Sequence, residues 1–212
     1  MPELTIAPDI RQLVSAAVVA AEGLRIGAAG PNLTAEIDAL AASLRAAYSG
    51  KSPGEIPGLS AARTLYRAFG LDPTSTRPSS EALVRRVLQG KPFPAVNAAV
   101  DVANLCSATF LLPIGLYDAA KIDGPVILRR GAPGESYPGI RKDDVHLDGR
   151  PVLSDRVGPF GNPSSDSART AVDAATVSLL MVVFAPAGYD PAALISHEVF
   201  AQNAIDRHLR RA

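Results

Sequence analysis

The stretch from Arg63 to Asn104, RTLYRAFGLDPTSTRPSSEALVRRVLQGKPFPAVNAAVDVAN, constrains the fold of this chain more than any other. Pro73 and Pro78 fix φ and push the residues before them to extended conformations, so LDPTSTRP reads as a rigid, polar connector. Ser79-Ser80-Glu81 is expected to open a helix, with a serine accepting from an orphan N–H and Glu81 near the positive end. Leu83, Val84, Val87 and Leu88 give that helix an apolar stripe, Arg85, Arg86 and Gln89 face outward, and Gly90 ends it. Pro92 and Pro94 read as the start of a second helix, on which Val96, Ala99, Val100, Ala103 and Asn104 share roughly one side. Asn97 and Asn104 are polar on an otherwise small and apolar helix, so each needs a partner or a ligand.

Around this centre the pattern is mixed. Met1 to Ile10 reads as a short lead, and Leu13 to Gly30 is β-branched enough for one or two strands, while its alanines leave a helix open for the first half. A helix capped by Asn32 or Thr34 runs to about Tyr48, a loop covers Ser49 to Pro57, and a short helix covers Leu59 to Phe69. Leu111 to Asp118 reads as a tight apolar turn, and Val126 to Arg130 as a strand. Asp123-Gly124 and Asp148-Gly149 are hairpin signals. Gly158 to Ser167 reads as long and irregular. Thr176 to Phe184 is a continuous apolar run, expected to be a strand buried on both faces. Asp190 caps, and Pro191 begins, a C-terminal helix. The expectation is an α+β fold: a mixed sheet core flanked by helices, with a pocket between two sheet-bearing halves.

Lys and Arg together number 21, as do Asp and Glu, so the formal net charge is zero and bulk attraction to nucleic acid is not expected. Any RNA contact must come from a local basic patch. The candidates are Arg77 with the paired Arg85-Arg86 and Arg129-Arg130, besides Arg141-Lys142 and the C-terminal Arg207, Arg210 and Arg211. The single cysteine, Cys106, cannot form an internal disulfide, which fits a reducing cytosol, and is expected to be a small core residue. His146, His197 and His208 form no constellation for a metal, and no cofactor is expected. No GxSxG or Cys/His nucleophile pattern is present. The opening carries no signal peptide, and the longest apolar run, Val177 to Ala187, is too short to span a bilayer.

The ordered blocks YRAFGLDPTSTRPSSEALVRRVLQG, VNAAVDVANL and LPIGLYDAAKIDG resemble the B3/B4 tRNA-editing domain of the phenylalanyl-tRNA synthetase beta subunit, above all freestanding proteins built from that domain. The resemblance covers about Leu59 to Phe184. It implies one B3/B4-like domain over residues 1–212: an N-terminal strand and helix layer over 1–50, the core of the resemblance over 59–186, and a C-terminal helix over 190–212. It also implies a pocket in which the ester joining a wrong amino acid to the terminal ribose of a tRNA is hydrolysed by a positioned water.

Residue by residue, the family's asparagine falls on Asn104 in VDVAN, and the threonine before it is replaced by Ala103. The family's histidine falls on Gly115 in LPIGLYD, which removes an imidazole and is expected to open space. A turn glycine with φ > 0 is the plainer reading of Gly115. The family's pocket glutamate falls near Asp166 in SSDSART, with Ser167, Arg169 and Thr170 beside it. The resemblance thus implies Asp166 and Asn104 as catalytic, with Asn97, Ala103, Gly115, Ser167 and Thr170 toward the substrate. A structural amide at Asn104, a loop-capping carboxylate at Asp166, and an Arg77–Glu81 or Arg77–Asp72 pair are the alternatives.

Three functions remain open at this level: a trans-acting aminoacyl-tRNA deacylase, a non-catalytic tRNA-binding module, and a binder or hydrolase of a free amino-acid derivative. The implied partner is an aminoacyl-tRNA in the cytoplasm, with no DNA and no membrane.

Overall fold

The computed structural model describes residues 3–140 and 143–210. The Arg141-Lys142 pair and Arg211 lie outside the described residues.

The centre of the molecule is a three-stranded antiparallel sheet in the order β2 (Val14–Glu22), β10 (Ser178–Pro186), β3 (Ile114–Asp118). β10 runs against β2 over its whole length, from Ser178 opposite Glu22 to Pro186 opposite Val14. Side chains alternate across a strand, so β10 feeds two cores. Leu179, Met181, Val183 and Ala185 pack with α4 (Ala98–Phe110) and α5 (Pro191–Leu209). Leu180, Val182 and Phe184 face the other way, toward α2 (Leu59–Ala68) and a second sheet. All seven are fully buried, each worth roughly 1.5–3 kcal/mol at the larger side chains. The continuous apolar run predicted this double burial.

The second sheet has five strands in the order β1 (Leu4–Ile6), β4 (Val126–Arg130), β7 (Pro151–Ser154), β8 (Pro159–Asn162), β9 (Ser165–Asp166). A small ribbon of β5 (Ser136–Pro138) and β6 (Asp144–His146) lies beside it. A third apolar cluster joins α1 (Pro31–Tyr48) and α3 (Ser79–Leu88) to α4 through Ala41, Leu44, Leu83, Val84, Val87 and Ala108.

Several local readings are corrected. The N-terminal lead supplies β1, which pairs in parallel with β4. The α1 cap is Gly30 followed by Pro31, and Thr34 donates its hydroxyl to Gly30 O. Pro78, not a serine, is the N-cap of α3. Ser79 and Ser80 instead donate to Pro163 O and Leu111 O, because buried hydroxyls find the nearest orphan carbonyl. Pro92 and Pro94 lie in an extended connector, and α4 starts only at Asn97, whose side chain accepts from Val100 N at 3.0 Å. The Asp-Gly pairs are not hairpins: β3 and β4 belong to different sheets, as do β6 and β7, so each turn passes the chain between sheets. Gly158 to Ser167 contains the β8–β9 hairpin, with Asn162 Oδ1 accepting from Ser164 N and Ser165 N.

Leu111 to Asp118 is mostly strand. Gly115 lies inside β3, with no positive φ. It does not open space. A Cβ there would stand 2.6 Å from Tyr117 Cζ, and one at Gly161 would overlap the same ring. Two glycines thus form a slot for a fully buried tyrosine, whose ring meets Phe160 edge-on at 4.9 Å. Among the described residues the non-glycine in the left-handed region is Leu111, with φ 58°, at the end of α4. Its turn is held by Ser80 Oγ on Leu111 O and Ser107 Oγ on Leu112 O at 2.8 Å.

The histidines are dispersed. His197 on α5 stacks on Phe110 at 4.1 Å, and its Nε2 is 3.1 Å from the Tyr189 hydroxyl. Cys106 is fully buried, and burial pushes its thiol up to about 12. Among the described residues no three of His, Cys, Asp and Glu are grouped so as to hold a metal ion, and no helix is long and apolar enough to cross a membrane.

Two outcomes follow. Gly115→Ala forces a methyl into the Tyr117 ring and should cost about 1–3 kcal/mol, read as a lower urea midpoint. Burial holds His197 below the usual imidazole range. Below about pH 6.5 the unfolded chain therefore takes up the proton first, and stability falls with pH. His197→Phe should flatten that acid-side slope in denaturation curves recorded from about pH 7 to pH 5.

Candidate functional site

A cleft of about 460 Å³ opens between α3, α4 and the β8–β9 turn. One face of α3 supplies Ser79, Ala82, Leu83 and Arg86, at the i, i+3, i+4, i+7 spacing of a helical stripe. α4 supplies Ala103, Asn104 and Ser107 on successive turns, and Ile114 and Ser164 close the inner side. Arg77 and Pro94 stand at the rim. The walls are mainly helical, and the inner side takes Ile114 from the three-stranded sheet and Ser164 from the β8–β9 turn of the five-stranded one, where a pocket between two sheet-bearing halves was expected.

The cleft owes its shape to three local choices. The Asn97 cap sets where α4 begins, and so which turn carries Asn104. The strained Leu111 turn, tied to both α3 and α4, sets the angle between that helix and β3. Glu81, buried on α3, sits 3.3 Å from Arg63 Nε and 3.6 Å from Arg77 Nε. It holds the proline-bounded connector against α2 and α3, which is the ion pair expected of Arg77. Asp72 instead accepts from Thr74, through both its N–H and its hydroxyl.

Asn104 is half-buried on the cleft wall, and no hydrogen bond among the described residues engages its amide. That departs from the structural alternative, in which the amide ties helix to sheet. Ser107 spends its proton on Leu112 O, and Ser164 shares a 2.7 Å hydrogen bond with the Tyr66 hydroxyl. Burial pushes that phenol well above the ordinary tyrosine range.

The other expected site residues lie elsewhere. Asn97 is spent on its cap. Gly115 backs Tyr117, not the cleft. Asp166 is half-buried on β9 beside Tyr117 and Tyr137. Burial first, and then the Asp166 charge, lift the Tyr117 phenol far above its usual range. Asp166 is not among the cleft walls, although Ser164, two residues earlier, is. Ser167 accepts from Arg169 N, and Thr170 is fully buried, donating to Phe160 O. Arg169 clasps Asp155 with both guanidinium nitrogens, at 3.0 and 2.9 Å.

Arg77 and Arg86 border the cleft, while Arg85 faces a second depression on the other flank of α3. Arg129 is paired with Glu135 at 2.6 Å, and Arg130 lies over the Phe69 ring. Ser79, Ser107 and Ser164 line the cleft without having been singled out. Ser107, one turn from Asn104, was findable from helical spacing; Ser164 was not.

Comparisons with known proteins place the chain in a family and a fold. The family model described as the B3/4 domain matches residues 61–198, and the chain belongs to that family. It is 28% identical over 130 residues to the phenylalanine--tRNA ligase beta subunit of Streptomyces avermitilis, an alignment covering 60% of this chain and 15% of that protein. It is 32% identical over 87 residues to the beta subunit of Nocardia farcinica, covering 41% of this chain and 10% of the relative. The chain thus spans about 15% or less of these relatives' length. In fold it is similar to the N-terminal fragment of the phenylalanyl-tRNA synthetase beta subunit from Pyrococcus horikoshii, with TM-score 0.52 and 14% identity, over 96% of this chain and 48% of that one.

Replacing the buried carboxylate by Glu81→Gln leaves Arg63 enclosed without its counter-charge. It should destabilise the protein by on the order of 2–4 kcal/mol, measured as a fall in the urea midpoint with m unchanged.

Proposed function

We propose that this protein removes a wrong amino acid from a mischarged tRNA in trans, with the aminoacyl end in the α3–α4 cleft. The observation that carries this reading is the uncommitted Asn104 amide on the wall of a cleft of ligand size, in a B3/4 domain related to phenylalanine--tRNA ligase beta subunits. A free amide N–H is suited to the oxyanion that develops when water adds to an ester carbonyl. Arg77 and Arg86 at the rim suit the phosphate next to the terminal ribose.

In the proposed step, water adds to the ester carbonyl carbon and the tetrahedral oxyanion takes a hydrogen bond from Asn104. The bond from carbon to ribose oxygen then breaks, that oxygen takes a proton, and the amino acid leaves. Among the described residues the cleft walls carry no carboxylate or imidazole. The proton acceptor would then be the substrate's own α-amine, and the protein's part is positioning and charge stabilisation.

The same bare wall favours a second reading, a tRNA-binding module without chemistry. A panel of mischarged tRNAs separates them. The deacylase should release at least one amino acid faster than buffer does, and Asn104→Ala should slow that release about 10²-fold. Gel shifts with intact tRNA but no release from any member would select the binding module.

A further inference from the structure

We propose that the exposed arc of α3, with Lys51 and Lys91, is a track for the phosphates of an RNA acceptor strand. The partner rests on the proposed cleft reading. The surface itself rests on charge.

Over the whole chain positive and negative side chains balance. Much of that balance is made locally: Arg129 with Glu135, Arg169 with Asp155, Lys121 with Asp173, Arg207 with Glu36. Lys51, Arg85, Arg86 and Lys91 are different. Like Arg11, Arg25, Arg45, Arg67, Arg130 and Arg150 they form no ion pair among the described residues, but these four are grouped: Lys51 and Arg85 line one depression, and Lys91 N–H donates to the carbonyl of Arg86, the next residue along α3.

The geometry of α3 explains the grouping. Residues 79, 82, 83 and 86 face the candidate cleft, whereas Arg85, Leu88 and Gln89 face a second depression of about 430 Å³ shared with Lys51, Ser52 and Pro53. At 3.6 residues per turn, roughly 100° each, the outward ridge between the two hollows carries Ala82, Arg86 and Gln89. Lys91 follows directly on Gly90, which ends the helix with φ 76°. The carboxylates nearby are already engaged. Glu81 is turned inward to Arg63 and Arg77, and Glu55 accepts from Ser52 N at 2.7 Å.

An acidic protein partner fits this surface less well than RNA does. Protein interfaces need apolar anchors at their centre. None of the exposed large hydrophobic side chains belongs to α3 or to the Lys51 loop. Phosphate recognition needs only cations at suitable spacing, and each neutralised phosphate leaves its mark in the salt dependence.

The test is fluorescence anisotropy of the full chain with labelled, uncharged tRNA across a salt series. The variants are Lys51→Gln/Arg85→Gln, with Arg25→Gln/Arg156→Gln as a charge-matched control. All four side chains are at or near the surface, and urea midpoints check that folding is retained. The track requires the slope of log K against log salt to shrink by about 1.5, with roughly tenfold weaker binding, in the first pair alone. An unchanged slope, an equal loss in the control, or no salt-dependent binding by the wild type would overturn it. Hydrolysis of an aminoacyl-adenosine ester, which lacks the phosphates, is measured alongside. Ester cleaved but slope unmoved removes the track and keeps the cleft. Slope reduced but no ester cleaved keeps the track and removes the deacylase.

Discussion

The double burial of β10 organises everything else. A strand enclosed on both faces has no solvent side, so its odd and even residues must each find a packed layer. One layer is α4 with α5; the other is α2 with the five-stranded sheet. β3 is hydrogen-bonded along β10 from Asp118 opposite Leu179 to Ile114 opposite Val183, and its position is inherited from it. The end of β3, in turn, is one wall of the cleft.

From that wall outward, polar contacts take over from apolar ones. Ser80 and Ser107 pin the Leu111 turn, Asn97 starts α4, and Glu81 fixes the connector through two arginines. Each satisfies a group that burial would otherwise make costly. Asn104, half-buried on the cleft wall, takes part in none of these contacts.

Tyr117 shows how a buried ring can fill the space that a glycine leaves. Gly115 was expected, from the resemblance, to stand in place of a histidine and to open space. The tyrosine two residues on, on the same face of β3, folds over the glycine and fills the gap with its own ring. Asp166 then meets that tyrosine and takes no part in the cleft. Of the two residues expected to be catalytic, Asn104 lines the cleft and Asp166 does not.

The sequence by itself determined the α+β class, the β10 strand, the α3 stripe with its Gly90 stop, the Asp190-Pro191 start of α5 and the burial of Cys106. These follow from periodicity, capping and backbone restriction, which act over a few residues. Only the tertiary structure decided that Asp-Gly turns connect different sheets, that Ser79 and Ser80 bond away from their own helix, and that Arg129 and Arg130 are spent far from the cleft. Those outcomes depend on which distant carbonyl, ring or carboxylate packing brings within reach, and local spacing carries no record of that.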